Sequence, residues 1–246
     1  MHRRTVALVL LAGLVALSGC AGLTDSSPTT TASNVNASAD DVQADTLDAM
    51  ANVTAYEFDA DIDQDLGNIQ TTLRLTGVVN KTAERMYQRT DATATRGDQS
   101  NSATTETYVV GDTAYVHSQG VWQTQPTPEG AWTSTPTDRQ VAFLTDAEVT
   151  VLNTTTVDGV ETYALSVQPD PESVTSYAEN RNSIDGDVSV ESVSVTQYVA
   201  VDTHRIQKAT LDMTLTIDGQ TLEQTLTITF SDYGTETDIT VPDDAS

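Results

Sequence analysis

Residues 209–230 read ATLDMTLTIDGQTLEQTLTITF, and this stretch decides the fold. Ala209, Leu211, Met213, Leu215 and Ile217 alternate with Thr and Asp up to Asp218-Gly219. Leu222, Leu226, Ile228 and Phe230 then repeat the alternation on the far side. A period of two is the signature of a strand with one packed face, and Asp-Gly between two such runs is a two-residue hairpin turn. The turn sets the register: Ile217 faces Gln220, Leu215 faces Leu222, Leu211 faces Leu226 and Ala209 faces Ile228. The opposite face carries Thr210, Asp212, Thr214 and Thr216 against Thr221, Glu223, Thr225, Thr227 and Thr229, so the sheet is packed on one side and wet on the other. Gln224 falls opposite Met213 on the packed face, where it needs a hydrogen-bonding partner.

The rest of the chain extends this pattern. Hairpin turns are expected at Gly111-Asp112, Gln119-Gly120 and Asp158-Gly159, each between strand-like runs such as Thr107 to Val110 and Thr113 to His117. Val188 and Val190 are out of phase with Val193 and Val195, which predicts a bulge near Glu191-Ser192. Tyr56, Phe58, Ala60 and Ile62 alternate with Glu57, Asp59, Asp61 and Asp63, a strand with an acidic outer face. A helix is expected from a Ser38 cap to about Val53, with Val42, Leu47, Met50, Ala51 and Val53 on its apolar side. Two further helical segments are expected, at about Asp138 to Asp146 and about Pro171 to Asn182. The predicted fold class is α+β: a curved antiparallel sheet wrapped around a few helices, in one domain over residues 38–246.

The first 20 residues read as an export signal. Arg3-Arg4 precede an apolar run from Val6 to Leu17, too short for the roughly 20 residues that cross a bilayer. Leu17-Ser18-Gly19-Cys20 resembles the lipobox of lipoprotein precursors, which implies cleavage after residue 19 and lipid attachment at Cys20, the only cysteine. The paired arginines look like a twin-arginine signal, although Sec signals also begin with two basic residues. Residues 20–37, rich in Thr, Ser and Asn, read as a flexible tether. Sequons begin at Asn36, Asn52, Asn80 and Asn153.

Charge restricts the partners. The 246 residues carry 36 acidic and 11 basic side chains, a formal charge of -25. Nucleic acid is excluded as a default partner, because phosphates are bound by clustered Lys and Arg, and the only lysines are Lys81 and Lys208. Losing residues 1–19 removes Arg3 and Arg4 and no acid, so 36 acids remain against nine bases. Such repulsion is silenced in molar salt, where the Debye length is about 3 Å. Abundant Asp and Thr with scarce Lys resemble haloarchaeal proteins; an acidic surface for cations or basic peptides is the alternative.

A lipobox, a helix, a Tyr56-Glu57-Phe58 strand and a long antiparallel sheet with inserted helices resemble LolA/LppX-type lipoproteins. YVVGDTAYV at 108–116 with Gly120-Val121-Trp122 is similar to that family's central hairpin, and residues 230–234 through 239–242 to its closing strand. The resemblance implies a half-barrel whose apolar space takes lipid acyl chains or another hydrophobic ligand. It would place Leu211, Met213, Leu215, Leu222, Gln224, Leu226, Ile228 and Phe230 at that space; otherwise the apolar ones pack on the helices and leave no room. A membrane anchor at Cys20, a lipid ligand and a monomeric state are the partner expectations. The alternative is a cell-surface interaction module with a filled core.

Catalytic motifs are missing from the sequence, and no enzyme activity, cofactor or metal is expected. His117 and His204 lack metal-ligand spacing. Asp59, Asp61, Asp63 and Asp65 do not make a calcium loop, since the required sixth-position Gly is Gln64 or Leu66. Trp122 and Trp132 flank the stretch Gln125 to Gly130, either to stack on a sugar or partner or to fold onto the sheet.

Overall fold

The computed structural model describes residues 37–170, 174, 188–235 and 237–245. The signal, Cys20, the tether and the Asn36 sequon lie outside these, as does the helix expected at Pro171 to Asn182 apart from Val174, which is buried.

Among the described residues, eleven strands form one antiparallel sheet. They are β1 (Ala55–Asp65), β2 (Gln70–Asn80), β3 (Arg85–Arg96), β4 (Gln99–Val110), β5 (Thr113–Ser118), β6 (Val121–Pro126), β7 (Glu148–Val157), β8 (Val160–Gln168), β9 (Val188–Ala200), β10 (Ile206–Ile217) and β11 (Gln220–Ser231). Their spatial order is β6-β5-β4-β3-β2-β1-β11-β10-β9-β8-β7, so every neighbouring pair is consecutive in sequence except β1–β11, and consecutive β6 and β7 lie at opposite edges. Helices α1 (Ala39–Ala51) and α2 (Pro136–Leu144) lie against the inner face, and a 3-10 turn ends the described chain at Asp243–Ala245.

The decisive hairpin has the expected register, Ile217 to Gln220, Leu215 to Leu222, Leu211 to Leu226 and Ala209 to Ile228. The turns at Gly111-Asp112, Gln119-Gly120 and Asp158-Gly159 join the expected strands. In β9 the pairing shifts between Thr214 and Leu215, leaving Glu191 as the extra residue between Ser192 and Val190. That bulge restores the phase, so Val188, Val190, Val193 and Val195 all face inward. A second bulge at Leu152 on edge strand β7 turns this side chain outward, 54% exposed, while Val149 and Val151 stay inward.

Several element boundaries differ from expectation. Helix α1 stops at Ala51 with Asn52 at its C-cap, and Val53 is buried beyond its end. Ser38 holds the N-cap position without a side-chain bond, and Ala51 is exposed. Thr46 takes the buried place instead, its hydroxyl donating to the Val42 carbonyl at 2.6 Å, which leaves that donor satisfied in the core. Helix α2 begins two residues earlier than expected, because Pro136 suits the first helical position and Asp138 closes on Thr135. The stretch read as a closing strand ends at Ser231, and residues 237–242 carry no regular structure. Asn80 is only 7% exposed, with its carbonyl accepting from the Ala83 N–H, so this sequon asparagine is enclosed in a turn.

The inner face is chemically graded. On β1, β8, β9, β10 and β11 it is apolar and forms the core with α1 and α2. On β3 and β4 the inward positions become Gln88, Thr90, Ala92, Ala103, Thr105 and Thr107, all half-buried or exposed. These strands form a wing that extends past the helices.

Candidate functional site: a half-open cavity beside the helical core

The hydrophobic core stops where the wing begins, and a cavity of about 600 Å³ opens there. Phe58, Ala60, Leu75, Leu226 and Ile228 form its apolar floor, and Met86, Val109 and Ala114 continue the floor onto the wing. Gln88, Thr107 and Gln125 add amides and a hydroxyl, and residues 128–131 with 134–136 form a roof leading into α2. The volume falls within the roughly 300–1,000 Å³ of small-molecule sites.

Phe58 shapes the floor. Its ring lies over Gly77 on the neighbouring strand, where a Cβ would sit 2.4 Å from Cε1 and 2.7 Å from the Tyr87 carbonyl. Only glycine permits that position, and the ring therefore reaches sideways across β2 toward the wing. Behind it Tyr56, fully buried, meets Phe230 edge-on at 5.8 Å and Tyr233 at 6.2 Å. Burial pushes both phenols above their ordinary pKa, Tyr233 more strongly. The Tyr233 hydroxyl donates to the Ile206 carbonyl, and the Tyr56 hydroxyl accepts from the Thr137 N–H at 3.4 Å.

Helix α2 is held over the sheet by polar ties. Asp138 accepts from the Thr135 N–H at 3.0 Å and hydroxyl at 2.6 Å, and pairs with Lys81 at 2.5 Å from the turn after β2. Gln197 on β9 donates to the Gln140 carbonyl at 2.9 Å. From α1, Gln43 donates to the carbonyls of Leu144 at 2.7 Å and Ala147 at 3.1 Å, satisfying acceptors at the C-terminal end of α2. Thr135 with Asp138 three residues on, bracketing Pro136, was the sequence signal for this start.

All eight residues expected at the ligand space are buried, between 0 and 6% exposed. Leu226 and Ile228 line the cavity, whereas Leu211, Met213, Leu215, Leu222 and Phe230 pack in the adjoining core. Gln224 receives a hydrogen bond from Gln64 Nε2 at 2.9 Å, directly across the β1–β11 pair, but its own Nε2 is buried with no partner among the described residues. Sequence reasoning missed Gln88, Thr107, Gln125 and the roof, because wing strands such as MYQRTDATAT at 86–95 carry no apolar alternation.

The remaining candidates stand on the outer face or at the edge. His117 stacks on Trp122 at 4.7 Å and lies 3.6 Å from Glu106, beside Tyr108 and Tyr87 at the next strands. Burial, then Glu106, raises the Tyr87 and Tyr108 pKa values. His204 lies 3.7 Å from Asp45. Asp61 and Asp63 bond Arg74 at 2.9 Å and Thr72 at 2.8 Å across the strands, as exposed members of a ladder. Among the described residues no group of three or more His, Cys, Asp or Glu could hold a metal ion.

The fold is similar to that of Mycobacterium tuberculosis lipoprotein LppX, at 15% identity over 82% of this chain and 100% of LppX, with a TM-score of 0.51. It is equally similar to LprF from Mycobacterium bovis, at 14% identity over 85% and 97% of the two chains and a TM-score of 0.52. At such identities the likeness establishes the open half-barrel and nothing about the site. No curated protein matches the sequence. Over residues 38–246 the chain belongs to the family of unknown function DUF6612.

Proposed function

We propose that this chain is an extracytoplasmic lipoprotein, anchored through Cys20, that holds a hydrophobic ligand in its half-barrel. The observation that carries the reading is the cavity of about 600 Å³ at the margin of the core, floored by Phe58, Leu75, Leu226 and Ile228. An apolar concavity open to solvent is costly to leave wet, and an acyl or isoprenoid chain would cover it. Leu211, Met213, Leu215, Leu222 and Phe230 act as the rigid backing of this floor. Gln224, bonded to Gln64, stands outside the cavity lining on the same packed face. The acidic exterior suits a salt-rich surrounding.

The test is to purify the full chain from its own membranes in molar salt, extract with organic solvent and identify what copurifies by mass spectrometry. A stoichiometric lipid, lost when Ile228→Trp fills the cavity of a still-folded protein, is the expected result. An empty protein that takes up no lipid on reconstitution contradicts it.

One observation favours a second reading, a surface module for another envelope component. Tyr87, Tyr108, His117 and Trp122 cluster on the wet face, which on central strands β1 and β11 carries mainly Asp, Glu and Thr. Under that reading Trp122→Ala abolishes partner recovery while lipid content is unchanged.

A further inference from the structure

We infer that the cavity selects an amphiphile whose head group is uncharged and rich in hydrogen-bonding atoms; this rests on the ligand-holding reading above. The chain contains 36 carboxylates, yet of the cavity's lining side chains only Glu129 and Arg139 are charged, of opposite sign and both exposed at the roof. Every other polar lining side chain is an amide or a hydroxyl.

The placement of those groups separates two ends. Strand register puts Gly77, Gln88 and Thr107 side by side on β2, β3 and β4, so the Phe58 ring, lying over Gly77, directly abuts the first polar positions of the wing. Gln125 lies opposite Ala114 at the far side of the same cavity. An apolar tail therefore fits between Phe58, Leu75, Leu226 and Ile228, and the head falls among Gln88, Thr107 and Gln125. Amides offer both donors and acceptors, and so match hydroxyl, ester or amide groups equally well. A carboxylate or phosphate head would enter a protein of formal charge -25 with one rim arginine as its only cation among the lining residues. A cationic head would be drawn to the protein but would have to leave the many outer carboxylates for a cavity holding only Glu129. The wet Thr and Ala positions farther out on β3 and β4 leave space for a head group larger than one hydroxyl.

The experiment titrates the full chain in molar KCl with three twelve-carbon probes below their micelle concentrations: monolaurin, laurate and dodecyltrimethylammonium. Isothermal calorimetry should show monolaurin binding at least about tenfold more tightly than either charged probe, the ratio that one well-made hydrogen bond supplies. Gln88→Leu and Thr107→Val should shrink that preference to about threefold or less, chiefly by weakening monolaurin. If Gln88→Leu fails to fold, Gln125→Leu on the exposed edge strand repeats the measurement. Equal affinity for all three probes, or a preference untouched by these substitutions, overturns the head-group inference alone. Binding of none of them overturns both this inference and the ligand-holding reading.

Discussion

The aromatic ring of Phe58 occupies the space that a side chain at Gly77 would need, and the two residues face each other across β1 and β2. A methyl group at position 77 must displace the ring and also press on the Tyr87 carbonyl at 2.7 Å. Gly77→Ala should therefore destabilise by about 1–3 kcal/mol, the usual cost of overpacking. Denaturant unfolding of Gly77→Ala, Phe58→Leu and the double variant checks the cause. The double variant should recover part of the loss, since the backbone contact persists, whereas strict additivity would show the ring is not the obstacle.

Asp138 joins the start of α2 to the turn after β2, and Lys81 is its only cationic partner at bonding distance among the described contacts. Asp138→Ala removes the cap and leaves a half-buried ammonium unpaired. A loss of about 1–3 kcal/mol is expected, with Lys81→Met costing less because Asp138 keeps its Thr135 bonds. Equal losses in chemical unfolding would mean that the ion pair, and not the cap, dominates.

Burial holds the hydroxyls of Tyr56 and Tyr233 protonated well past the pH at which a free tyrosine ionises. Below about pH 9 both folded and unfolded chains keep these protons and stability does not depend on them. As pH rises past about 10 the unfolded chain releases them first, so stability must fall on the alkaline side. Unfolding midpoints between neutral pH and about pH 11 should trace this limb, and Tyr233→Phe should make it shallower. An identical slope would show that other groups cause the loss.

The wet face bears Asp59, Asp61, Asp63, Asp212 and Glu223 on neighbouring central strands. Lowering KCl from molar to about 0.1 M lengthens the Debye length to roughly 10 Å and should lower the thermal midpoint. A midpoint that stays constant across salt would contradict adaptation to brine.

Cys20→Ser removes the sulfur that a lipid would occupy. The protein should then partition into the soluble fraction after osmotic lysis in high salt. Retention of the variant in washed membranes would argue against the anchor.

What the sequence disclosed depended on contrast between faces. In β10 and β11, from Ala209 to Phe230, apolar residues alternate with Thr, Asp and Glu, broken on the packed face only by Gln220 beside the turn and by Gln224, so the turn at Asp218-Gly219 was enough to set every pairing. The bulge at Glu191 was legible because four valines had to share one side. Over residues 88–96 of β3 and 99–107 of β4 both faces are small or polar, so alternation there carries no information on which side faces the helices. The cavity wall therefore emerged only from pairing to β2. Its floor was half visible: Leu226 and Ile228 followed from the hairpin, but the sideways reach of Phe58 depends on a missing Cβ one strand away, a non-local fact. Helix α2 starts two residues before the expected Asp138, because Thr135, Pro136 and Asp138 have the spacing of a helix entry, a signal weaker than the apolar residues Val141, Phe143 and Leu144 that follow.

Helix α2 is fastened to Lys81 beside β2, to Tyr56 on β1, to Gln197 on β9 and to α1 through Gln43. In the strand order those attachments straddle five consecutive strands, roughly 20 Å of sheet at the usual strand spacing. The helix thus works as a tie rod across the bend: flattening the trough would have to stretch or snap bonds at both of its ends. Strands β3 to β6 receive none of these four attachments, so α2 braces the trough and leaves the wing to its own strand pairing.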